Sequence, residues 1–220
     1  AGEPYPLLLV FDLFPYLTQV PKPRNLDNLL DAGKIPPLVA VFVGNAKDQR
    51  NVELPCNDDF NAFLADELFP WVRDKYHVAT DPSQNIVAGS SFGGLASTYF
   101  ALKHSELVGN VLSQSGSYWY APNPHGRLRD DPEHEPGWLI RQFVLTDRLP
   151  IRFFLEVGLR EGGQPKMTTV NRFFRDVLQA KGYDVVAYSE FNGGHDYLNW
   201  RGSFADGLIA LTQPPEPKPE

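Results

Sequence analysis

Six short apolar runs, each bounded by polar or turn-forming residues, constrain this chain more than any other feature. They are Leu7–Asp12, Leu38–Gly44, Ile86–Gly89, Val108–Ser113, Ile151–Val157 and Val185–Phe191, rich in Val, Ile, Leu and Phe. Continuous rather than alternating apolar character is what strands buried on both faces require. Stretches of helical period lie between several of them: Asn61–Tyr76, Gly94–His104, Thr168–Lys181 and one beginning near Tyr197. The alternation predicts an α/β fold in three layers, a mostly parallel sheet with helices on both faces. In such a sheet the functional site sits beyond the carboxyl ends of the strands.

At 220 residues the chain fits one domain, over residues 1–213. The tail from Pro214 to Glu220, PPEPKPE, cannot continue a helix and is expected to be frayed. The stretch Ser115–Gly137, dense in aromatic, proline and charged residues, breaks the alternation and reads as a long loop over the strand ends. The apolar runs fall far short of the roughly 18 residues of a membrane-spanning helix, so no membrane partner is expected. A net charge of −7 disfavours nucleic acid, whose binding needs a basic surface, and favours a soluble monomer. The lone Cys56 excludes an internal disulfide and a cysteine-rich zinc site and fits a reducing, cytoplasmic compartment. Ala1–Pro6 has no leader signature, although a trimmed periplasmic or secreted protein would begin in the same way.

The sharpest local signal is Gly89-Ser90-Ser91-Phe92-Gly93-Gly94, a GxSxG between a predicted strand and a predicted helix. There the chain turns so tightly that the central serine is strained and its neighbours must be small. Ser91 would stand above the sheet at a helix amino end, with the Phe92 N–H as one oxyanion donor. A serine hydroxyl needs a general base. Of the five histidines, His77, His104, His125 and His134 lie in surface-like sequence, whereas His195, in Asn192-Gly193-Gly194-His195-Asp196, follows the last predicted strand at the same rim. The third member should be a carboxylate that fixes the imidazole tautomer. Glu161, in the loop after Ile151–Val157, is the choice; Glu156, inside that strand, is the competitor, and Asp196 suits a helix cap better.

These residues resemble a known family. Gly89–Ala96, the run from Val111 to Trp119 containing LSQSGSYW, Glu53-Leu54-Pro55-Cys56-Asn57 and Gly193–Arg201 are similar, in order, to the catalytic domain of enterochelin (enterobactin) esterases, esterase D-like α/β-hydrolases. The resemblance runs from about Leu7 to Leu211 and implies Ser91 as nucleophile, His195 as base and Glu161 as acid. It implies a small-molecule ester substrate, a catecholate siderophore trilactone, free or ferric, with neither a cofactor nor a protein-bound metal. Members commonly carry a glycine after the aspartate ending the strand that corresponds to Leu7–Asp12, in a loop supplying the second oxyanion N–H; here that residue is Leu13. Full-length members place a β-sandwich domain and a first strand pair ahead of this region. A ferric tris-catecholate is a flat-faced trianion, so Arg50, Arg160 and Arg201 are candidate cations and Tyr118, Trp119, Tyr120 and Trp200 candidate stacking walls. The same residue types leave room for a feruloyl or acetyl esterase of carbohydrates, and for a binding protein with a misassembled triad.

Overall fold

The computed structural model describes residues 2–18, 21–122, 137–163 and 166–214. The strands are β1 (Leu7–Phe11), β2 (Val39–Val43), β3 (Ile86–Ser90), β4 (Asn110–Gln114), β5 (Arg152–Gly158) and β6 (Asp184–Phe191). Every pairing is parallel, in the order β2-β1-β3-β4-β5-β6. All six predicted strands are present, shifted at their ends by one or two residues.

Alternate strand residues face opposite layers. Leu7, Leu9, Val87, Val111, Phe153 and Leu155 join one core cluster, and Leu8, Val10, Ala88, Leu112 and Phe154 the other. Over the first face lie α5 (Phe69–Lys75), α6 (Phe92–Lys103), α7 (Trp138–Leu145) and α8 (Met167–Ala180), anchored by Phe69, Phe100, Phe143 and Phe174. Over the second lie α1 (Leu13–Thr18), α2 (Lys22–Asp31) and α9 (Tyr197–Thr212), anchored by Tyr16, Leu26, Phe204 and Leu208. The three-layer α/β expectation holds, and the sheet is parallel throughout.

The helices depart from expectation where proline intervenes. The predicted helix Asn61–Tyr76 is instead α4 (Asp58–Ala62), then a π-helical turn over Phe63–Leu68, then α5. Pro70 lacks an N–H and would crowd the carbonyl four residues back, and the wider turn just ahead of it relieves that conflict. Asn57 caps the start by accepting the Phe60 N–H at 2.8 Å. The helices α1 and α2 have no counterpart in the sequence reading, and Pro15, Pro21 and Pro23 lie at or near their starts. In the fold Pro15 and Pro23 occupy first turns, where a missing N–H is harmless. The short α3 (Arg50–Glu53) and α7 were also not predicted. Residues 123–136, with His125 and His134, and the tail 215–220 lie outside the described residues. Among the described residues no helix is long and apolar enough to cross a membrane.

Candidate active site

Ser91 occupies the one-residue turn between β3 and α6, with φ 58° and ψ −120°. A side chain pays sterically for that conformation, which persists only where surrounding bonds enforce it. Here its N–H donates to the Gln114 carbonyl at 2.9 Å, and its carbonyl accepts from Ser117 N at 3.1 Å and Leu95 N at 3.1 Å. The turn closes because position 89 is glycine: a Cβ there would collide with the Gly93 backbone.

The loops after β5 and β6 meet across a similarly tight contact. A Cβ on Gly158 would lie 2.5 Å from the Gly193 carbonyl and 2.7 Å from Glu161 Oε1, so a side chain there would push the two loops apart. Glu161 is buried, and its Oε1 accepts from the Gly158 N–H at 2.7 Å and Ser115 Oγ at 2.5 Å. Its Oε2 lies 2.6 Å from His195 Nδ1. Three donors thus support a carboxylate that would otherwise be costly to bury. His195 is exposed, and with Nδ1 bonded to Glu161 its Nε2 has no hydrogen-bond partner among the described residues. The Trp200 ring meets His195 edge-on at 4.8 Å, and its Nε1–H donates to Ser115 Oγ at 2.9 Å.

Ser91 Oγ lies 3.3 Å from Ser117 Oγ. The segment Ser115–Ser117, following β4, therefore ties the serine turn to the acid: Ser117 holds Ser91, and Ser115 holds Glu161. Ser91 and His195 share the carboxyl rim of the sheet, with no direct hydrogen bond between them among the described contacts.

On the other side of Ser91, Asp12 ends β1 in a left-handed conformation, φ 69°. Its buried carboxylate receives Arg50 Nε at 2.5 Å and Nη2 at 2.8 Å, a fork-on-fork pair. The guanidinium also stands 6.0 Å from the Phe92 ring centroid. Leu13 and Phe92 each open a helix, so their N–H groups have no partner within the helix.

The competitor acid Glu156 does not reach the histidine. It lies inside β5 and accepts from Gln114 Nε2 at 2.7 Å and Ser203 Oγ at 2.6 Å. Asp196 caps α9, its Oδ1 accepting from the Leu198 and Asn199 N–H groups at 2.9 Å and 3.1 Å.

Three proposed substrate contacts need correction. Tyr118 is fully buried, its hydroxyl bonded to Ser113 and Thr98 at 2.8 Å each, so it is core and not a stacking wall. Trp200 is 3 % exposed and committed to Ser115 and His195, so it supports the imidazole and offers no open face to a catechol. Arg201 lines a shallow groove with Asn25, Asn28 and Leu29 between α2 and α9, because it projects from a different side of the helix than Trp200. Trp119 and Tyr120 pack on the ring of Phe92, the residue after the nucleophile, at 5.7 Å and 5.8 Å. Arg160 stays at the rim, its Nε donating to Asn192 Oδ1 at 2.9 Å. Sequence reasoning assigned no role to Gln114, Ser115, Ser117 or Asp12. For Gln114 and Ser115 the signal was a polar run, Ser113-Gln114-Ser115, directly after Val111-Leu112; Asp12 and Ser117 lie outside it. Among the described residues, no group of three or more His, Cys, Asp or Glu side chains is placed to hold a metal ion.

An iron(III) enterobactin esterase of Escherichia coli O6:H1 is 35% identical to this chain over 218 residues, 97% of this chain and 51% of that protein. The crystal structure of the enterobactin esterase from Shigella flexneri, determined in the presence of enterobactin, superposes with a TM-score of 0.81 at 32% identity, over 96% of this chain and 52% of that one. A ferulic acid esterase superposes with a TM-score of 0.74 at 19% identity, a likeness of fold alone. The chain thus has the α/β-hydrolase fold of these esterases and spans about half the length of the enterobactin esterases it matches. The family described as "Putative esterase" matches residues 1–211, the whole sheet and every residue of the site just described, and it is to this esterase family that the chain belongs.

Proposed function

We propose that the protein is a serine esterase that opens the ester bonds of a catecholate siderophore trilactone, free or ferric, to linear products that hold iron less tightly. The observation that carries the chemistry is the contact of 2.6 Å between Glu161 Oε2 and His195 Nδ1 on the rim that bears the strained Ser91. Ser91 Oγ attacks the ester carbonyl while His195 Nε2 takes its proton, and Glu161 stabilises the resulting imidazolium. The Phe92 and Leu13 N–H groups receive the oxyanion. The imidazolium returns the proton to the departing alkoxide, leaving an acyl-enzyme. Water, deprotonated by the same imidazole, then attacks the acyl-enzyme carbonyl and releases the carboxylate and Ser91.

The substrate class rests on the enterobactin esterases at 35% and 34% identity and on the walls of the site. Trp119 and Tyr120 pack on the Phe92 ring, and Arg160 stands at the rim. Aromatic walls with a guanidinium at the rim suit flat, anionic catecholates. The test is incubation with enterobactin and with its ferric complex, following linear products by chromatography, beside Ser91→Ala. Linear products from wild type alone support the reading. Identical profiles from both proteins refute it, and preferential turnover of a feruloyl sugar ester moves the substrate to carbohydrate.

A further inference from the structure

A polar cluster with no part in the acyl transfer lies beneath the nucleophile, on the α1–α2–α9 side of the sheet. Strand register sets Ser90, Gln114 and Glu156 side by side at the ends of β3, β4 and β5. The Gln114 side chain links the other two: its Nε2–H donates to Glu156 Oε1 at 2.7 Å, and its Oε1 accepts from Ser90 Oγ at 3.4 Å. Ser90 in turn bonds the Tyr16 phenol. Apolar side chains would fill these positions at lower cost, so the polar choice calls for a reason.

Two buried groups in the cluster are left over. Lys22 Nζ sits 3.3 Å from the Tyr16 ring centroid and 3.7 Å from that of Phe204, with no hydrogen-bond partner among the described residues. Glu156 Oε2 is likewise without a partner there. Burial pushes the Lys22 ammonium well down, opposed by attraction to Asp12 and Glu156. Burial pushes the Glu156 carboxyl up to about 7, opposed by Ser203, Gln114 and Lys22 and reinforced by Asp206. The charged and titratable groups around the pair are thus Asp12, itself paired with Arg50, at the end of β1, Tyr16 from α1 and Asp206 from α9. The β6 neighbour of Glu156 is the neutral Ser189.

The same strand residues hold both halves of the site through their backbones. The Gln114 carbonyl takes the Ser91 N–H at 2.9 Å, and the Glu156 carbonyl takes the Ser115 N–H at 2.7 Å. Ser115 is the donor to Glu161. We propose that Glu156, beside the buried Lys22 amine, is a positioning residue: its carboxylate fixes the Gln114 amide and, through Gln114 and Ser90, the serine turn. An ionised carboxylate grips the amide N–H more tightly than a protonated one, so the positioning strengthens as Glu156 loses its proton. The inference rests on the serine-esterase reading above.

The test is kcat on a neutral aryl ester from pH 5.5 to 8.5 for wild type, Glu156→Gln, Lys22→Met and Ser91→Ala. The ratio of wild-type to Glu156→Gln kcat should be near one at pH 5.5 and rise to roughly tenfold by pH 8.5, with KM unchanged. Lys22→Met removes the amine that favours the Glu156 carboxylate and should move the acid limb contributed by Glu156 upward. A ratio that is the same at every pH makes Glu156 merely structural and overturns the proposal. Should Glu156→Gln fail to fold, Lys22→Met, which nearly conserves volume, takes its place, and an acid limb that does not move overturns the proposal. Retained activity in Ser91→Ala refutes the esterase reading itself, whereas an inactive Ser91→Ala beside a pH-independent ratio refutes only the positioning role.

Discussion

Glu161 divides its carboxylate between two tasks: Oε2 lies 2.6 Å from His195 Nδ1, while Oε1 is held by Ser115 Oγ and the Gly158 N–H. The acid is thereby fixed before it meets the imidazole. Glu161→Gln keeps the shape and an acceptor for Ser115 and Gly158, but its amide, unlike the carboxylate, can turn an N–H toward Nδ1 and favour the wrong tautomer. The variant should lose on the order of 10³-fold or more in kcat on a neutral aryl ester, with KM little changed. A loss below tenfold would leave a Ser91–His195 dyad with a dispensable acid.

Trp200 acts on the same imidazole from its edge and on Ser115 through its indole N–H. Trp200→Phe keeps a ring against His195 and deletes the bond to Ser115, which is worth about 1 kcal/mol. We expect kcat to fall about fivefold to tenfold, equally for catecholate and simple aryl esters. A rise in KM confined to the catecholate would restore Trp200 as a stacking wall.

Arg50 reads in the sequence as a cation for an anionic substrate, whose removal would raise KM selectively. In the fold it is bound through two nitrogens to Asp12, a carboxylate only 3 % exposed, next to Leu13. Truncation leaves that carboxylate unpaired, at a cost of about 3 kcal/mol. Arg50→Ala should therefore lower the unfolding free energy in urea by about that amount and reduce kcat on neutral and anionic esters alike. Unchanged stability with a selective KM effect would return Arg50 to the role read from sequence.

The strands were legible because parallel sheets covered on both faces leave uninterrupted apolar runs, and the serine turn because glycine is required where Gly89 meets Gly93. Glu161 was separable from Glu156 by position alone: one lies past the end of β5 and the other within it. The helices α1 and α2 carry, at or near their starts, prolines that suit a first turn as well as they break an interior. The roles of Trp200 and Arg201 were misread because adjacent helical residues project about 100° apart, and only packing reveals which faces the rim. Lys22 and Glu156 are distant in sequence, so nothing short of the fold joins them.

Glu156 gives stability a pH dependence opposite to that of a salt-bridged surface carboxylate. Burial dominates and lifts its carboxyl from an ordinary 4.5 to about 7 in the fold. Between those values the native state holds a proton that the unfolded chain has released, so this group's contribution is greatest below about 4.5 and declines as pH rises toward 7. The decline amounts to roughly 3 kcal/mol. Glu156→Gln cannot titrate, so its unfolding free energy relative to wild type should rise by about that amount between pH 4.5 and 8, measured by urea denaturation. A difference that stays flat would mean that the carboxyl titrates in the fold as it does in the open chain. A variant that gains stability at pH 8 while losing turnover there would identify the buried charge as one kept for the geometry of Ser91 and not for the fold.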